Sequence, residues 1–131
     1  MGAGHRVKPD WLLSAERQGL VSAMNATKWR EVATAMHALP GGSPSWVAKD
    51  IDREGPSGRD RDWVYHLRPF ETVEWVDIPC GEGSRAIEVR AALSAVGVRG
   101  VRTADGVRVY GWLRPGESGT WLSAAPDPAS G

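Results

Sequence analysis

The chain has 131 residues, 16 basic and 16 acidic side chains and one cysteine. This length suits a single domain with one real core. The balanced charge gives no sign of the long-range positive field that phosphate-backbone binding usually needs, and a lone cysteine excludes an internal disulfide framework. No apolar run approaches the roughly 20 residues of a membrane span. The polar start MGAGHRVKPD lacks a secretory-signal pattern. The expectation is a cytoplasmic protein with neither a membrane nor a nucleic-acid partner.

Residues 1–9 read as a flexible tail. A first helix is predicted from Asp10, as N-cap, to Met24, with Leu13, Leu20, Val21 and Met24 on one face. A second follows over MNATKWREVATAMHAL, capped by Asn25 or Thr27, with Trp29, Val32, Ala33 and Met36 as its core stripe. Pro40-Gly41-Gly42 stops it. Residues 45–51 read as a strand, and DREGPSGRDRD as a solvated or binding loop. DWVYHL and ETVEWVDI read as two further strands, joined as a hairpin across Pro69. A third helix spans GSRAIEVRAALSAV, with Ser84 as its cap and Gly97 as its left-handed stop. VRGVRT and GVRVYGWL form a second hairpin around Ala104-Asp105-Gly106. Residues 124–131 read as a disordered tail, leaving 10–123 as the domain. The predicted class is α+β, in the order ααβββαββ: two N-terminal helices, an antiparallel sheet of about five strands, and one helix between the third and fourth strands.

Gly81-x-Gly83-x-x-Ala86 fits a relaxed dinucleotide fingerprint. It lacks the parallel βαβ unit and the acid about 20 residues on, and Glu82 would repel a pyrophosphate. The stretch reads as a connector, so no cofactor is expected. Cys80 has one histidine on the same predicted sheet, His66, beside Glu74, and a small inert thiol is the better reading. Three scattered histidines show no metal-ligand spacing.

Seven tryptophans are unusual in so short a chain. Aromatic rings give contact area at low entropic cost and recur at binding hot spots. The candidate binding residues are Trp63, Tyr65, His66, Phe70, Glu74, Trp75 and Asp77, with Trp46 and the 52–62 loop at the rim. The alternative is that these rings form a buried sheet centre.

Three segments carry a resemblance: MNATKWREV (24–32), WVYHLRPFETVEWVDI (63–78) and GVRVYGWL (106–113). Together they are similar to an uncharacterised family of small bacterial proteins, with Ala26 where that pattern has Asn. The resemblance implies a domain and no activity. The expected role is a protein-binding domain of immunity or antitoxin type. The alternatives are a small hydrolase or transferase using His66 with Glu74 or Asp77, and a small-ligand-binding protein.

Overall fold

The computed structural model describes residues 7–67 and 69–124. The predicted tails, 1–9 and 124–131, fall mostly outside the described residues. The elements run α1 (Asp10–Arg17), β1 (Val21–Ser22), α2 (Ala26–His37), β2 (Val47–Asp50), a 3-10 turn (Phe70–Thr72), β3 (Val73–Ile78), α3 (Ser84–Val96), β4 (Gly100–Arg102), β5 (Val107–Tyr110) and β6 (Trp112–Leu113). The α+β class and the three helices agree with the sequence reading.

α1 is shorter than predicted. Gly19 adopts φ +69°, and the Gly19 and Leu20 N–H groups donate back to Glu16 and Ala15. That pair of bonds is a Schellman stop. Leu20 then packs with Ala15, and Val21–Ser22 pairs with Leu113 and Trp112 as a small ribbon. Asp10 and Ser84 are first helical residues, not caps; Pro9 and Gly83 hold those positions with no side-chain cap bond. Of the two predicted caps Asn25 holds the position, its side chain accepting from Lys28 N at 2.7 Å, and Thr27 lies inside α2.

The main sheet is antiparallel, in the order β2-β3-β5-β4. α2 and α3 pack together against one face of it, antiparallel to each other. Lys28 Nζ at the start of α2 donates to Val96 O at the end of α3 (2.9 Å), and Arg85 at the start of α3 donates to Pro40 O beyond α2 (2.6 Å). The core joins Trp29, Val32 and Met36 of α2 and Val89 and Leu93 of α3 to Val76, Ile78, Val107 and Val109 of the sheet. Side chains two apart on a strand share a face, which puts Val76 and Ile78 inward together.

The predicted DWVYHL strand and its hairpin do not form. β3 already has β2 on one side and β5 on the other, so no edge remains for a third partner. Residues 62–67 instead make a bent segment. A bulge also re-aims β3. Lys49 pairs with Trp75 but Asp50 pairs with Val73, leaving Glu74 as the extra residue. Gly111 separates β5 from β6 at a close approach: a Cβ there would lie 2.2 Å from Val73 O and 3.0 Å from the Trp29 ring.

Candidate functional site

The predicted binding residues divide among three places. The first is the core. Trp46, Trp63 and Phe70 are 4%, 2% and 8% exposed. Trp46 and Trp63 pack with ring centroids 6.0 Å apart, and Phe70 stacks on Trp29 at 6.4 Å. The Trp63 indole N–H donates to Pro44 O at 2.9 Å. For these three the buried reading holds.

The second place is the 60–67 segment. Asp60 Oδ1 accepts from the N–H groups of Arg61 (2.7 Å) and Asp62 (2.8 Å). Asp62 Oδ1 accepts from those of Val64 (2.9 Å) and Tyr65 (2.8 Å). Aspartate commonly captures backbone donors in this way and builds turns. Trp63 and Leu67 anchor the segment in the core, while Val64 and Tyr65 are 37% and 75% exposed. His66 Nδ1 meets Asp60 Oδ2 at 2.8 Å, and its Nε2 lies 3.7 Å from Asp62 Oδ2. The Asp60 bond and the two negative charges raise the His66 pKa above its ordinary 6.5. Asp60 and Asp62 are held below the usual carboxylate value, chiefly by the backbone N–H bonds they accept.

The third place is the sheet face opposite α2 and α3. Asp77 and Arg108 are cross-strand partners and form a bidentate pair at 2.7 and 2.9 Å. The Arg108 guanidinium lies 3.8 Å from the centroid of the half-buried Trp75 ring. At the bulge Glu74 is 2% exposed. Arg114 grips both of its oxygens at 2.8 Å, and Lys49 Nζ bonds Oε1 at 2.8 Å. Burial alone would raise the Glu74 pKa; the Arg114 and Lys49 bonds outweigh it and hold the carboxyl below its ordinary value. Gln18 continues the network from Arg114 to Ser14 and to Ile51 O, each at 3.0 Å, and Ser14 bonds Asp52. α1 thereby closes this end of the face.

His66, Glu74 and Asp77 are not brought together as an acid–base set. His66 engages Asp60, Glu74 engages Lys49 and Arg114, and Asp77 engages Arg108. Sequence reasoning missed Asp60, Arg108 and Arg114. The Asp-Arg-Asp run before the aromatic word is a turn signal that could have found Asp60. Arg108 faces Asp77 only once β3 and β5 are known to be neighbours.

Two of the surface clefts bear on the predicted residues. One of about 300 Å³ runs between β2 and the following loop, with His66, Arg53 and Trp46 in its lining. The other, about 410 Å³, lies at the start of α3 beside Cys80, Arg61, Arg85 and Glu88. Arg85 spends its guanidinium on Pro40 O and Gly42 O, and the Gly81 N–H is taken by Asp105 O at 2.7 Å. The glycine loop is therefore a connector. Burial pushes the Cys80 thiol pKa up, so it is protonated near neutral pH. Among the described residues no group of three or more His, Cys, Asp or Glu is placed to hold a metal ion, and no helix is long and apolar enough to cross a membrane.

In class, this is an α+β domain: an antiparallel sheet backed by two helices, carrying a pinned aromatic turn and an arginine–carboxylate face. The chain belongs to a family of unknown function, DUF6678, which matches residues 12–116. No curated protein and no solved structure matches it.

Proposed function

We propose that the chain is a non-enzymatic, cytoplasmic protein-binding domain of immunity or antitoxin type, and that Tyr65 is the centre of its contact surface. One observation carries this reading. Tyr65 is 75% exposed on a turn whose N–H groups at 64 and 65 are already bonded by Asp62. A ring on a backbone ordered in advance loses little entropy when a partner covers it, which is the property of a hot spot. Val64 extends the apolar contact, and Arg61, Asp62 and His66 form a polar rim. The partner this surface suits has an apolar pocket that takes a phenol ring. The compartment rests on the lone free thiol, Cys80.

The test is capture from a native lysate with a photo-crosslinking residue at position 65. Tyr65→Ala and Val64→Asp should each abolish capture without unfolding the domain. Ile87→Ala, which trims another exposed apolar residue (58% exposed), should leave capture intact. A captured protein indifferent to both turn variants would overturn the assignment.

A further inference from the structure

We propose that the cleft between β2 and the 53–67 segment binds a small organic carboxylate; it shares His66 with the rim of the Tyr65 surface but does not rest on that reading. At about 300 Å³ the cleft falls at the lower end of the size range of small-molecule sites. Ala48, Leu67, Pro69 and Val73 give it apolar walls, and Arg53, Lys49 and His66 contribute cationic groups. Asp50 is the carboxylate in the lining, and its Oδ1 is occupied by Asp52 N at 2.8 Å.

Two donors in this lining stand out. The Trp46 indole N–H is buried without an acceptor, and the residue as a whole is 4% exposed. A buried donor left unsatisfied is costly and rare, and each case calls for an explanation. The second is Arg53. Neighbouring cations are committed: Lys49 Nζ bonds Glu74 Oε1 (2.8 Å) and Asp50 O (3.1 Å), and His66 bonds Asp60. Arg53 forms no side-chain hydrogen bond or ion pair among the described residues. A carboxylate needs a cation with open donors, further donors around it, and apolar surface for its hydrocarbon body. Arg53, the Trp46 N–H and the Leu67–Val73 wall supply these in turn.

The 52–62 loop, which contributes Arg53 and Ser57 to the lining, closes the free edge of β2 through two short stitches. Ser57 pairs with Ala48 at 2.7 and 3.0 Å, and Asp60 pairs with Trp46 at 2.7 and 2.9 Å.

The indole N–H gives a direct readout. Nitrogen–proton correlation spectra would be followed as isobutyrate, benzoate and inorganic phosphate are added at about pH 6, where His66 is protonated. The Trp46 indole signal is assigned by its loss in Trp46→Phe. The expected result is a saturable shift of that signal and of the Ala48 and Leu67 amides with the carboxylates. Arg53→Ala should weaken binding about tenfold or more, the scale of one charged hydrogen bond. Arg102→Ala, which removes an exposed arginine elsewhere, should change nothing. No saturable shift, or an affinity indifferent to Arg53→Ala, would overturn the proposal. A response to phosphate alone would overturn it too, because the apolar walls would then play no part.

Discussion

The segments WVYHL (63–67) and VEWVDI (73–78) have nearly the same texture, both rich in aromatic and β-branched residues. One is a pinned turn and the other is the central strand of the sheet. The difference lies in where their backbone donors go. Asp60 and Asp62 satisfy four N–H groups over residues 61–65 locally. The second segment has no aspartate before it and pairs with β2 and β5 on its two sides. Such a texture is thus an insufficient sign of a strand, since a side chain that supplies the hydrogen bonds first removes the need for a neighbour.

Truncating the tryptophan of each segment gives the sharpest contrast. Trp63→Ala should cost about 3–5 kcal/mol in chemical denaturation, because a fully buried ring leaves a cavity beside Trp46. Trp75→Ala should cost about 1 kcal/mol, since its half-buried ring loses mainly the Arg108 contact. Equal losses would erase the distinction between core and face.

Removing the strand's bulged acid comes next. Glu74→Ala leaves Lys49 and Arg114 without their shared carboxylate. The cost should be about 2 kcal/mol, below that of a fully buried pair because the Arg114 side chain is 38% exposed and rehydrates. The Glu74 pKa is lowered, so its contribution is present above the unfolded value of about 4.5 and is lost as pH falls through the lower folded value. Comparing acid denaturation of the wild type with Glu74→Gln measures that part.

For the turn, the expected effect is local. Asp62→Ala should speed hydrogen exchange at the Val64 and Tyr65 amides while leaving Val76 protected. His66 has a raised pKa, so its stabilising pair with Asp60 is complete below the unfolded value of 6.5. The pair weakens as pH rises through the higher folded value. Exchange at the turn corrected for intrinsic pH dependence should therefore rise in the wild type as pH climbs through the raised His66 value and be flat in His66→Gln.

Arg90 should give the smallest change. It is 7% exposed with its Nε unpartnered, so Arg90→Met should be neutral or stabilising by about 1 kcal/mol. A clear destabilisation would mean that this buried charge has a stabilising role the geometry does not reveal.

Helical spacing at Trp29, Val32, Ala33 and Met36 located α2 and its buried face, and β-branched runs around an Asp-Gly step located the β4–β5 hairpin. These were legible because an amphipathic period and a tight turn are local properties. The Gly19 stop was also local and was overlooked, because apolar spacing continued through Leu20 and Val21. The candidate site was legible only in part. Tyr65 and His66 stood out by type, but nothing in their own segment says that Trp63 turns inward while Tyr65 turns outward.

By itself, the sequence determined the α+β class, the buried stripes of α2 and α3, a cap at Asn25 or Thr27 and the Gly97 stop, while the stripe it drew for α1 fails, with Leu13 and Val21 exposed. Each depends on neighbours a few residues away. The tertiary structure decided that β2 rather than 62–67 lies beside β3, that a bulge turns Glu74 toward Lys49 and Arg114, and that Arg53 and Ser57 of the 52–62 loop line a cleft with Trp46. Those outcomes join residues 9 to 40 positions apart. Competition for one strand's hydrogen bonds settles them, and that competition is decided only when the whole chain has packed.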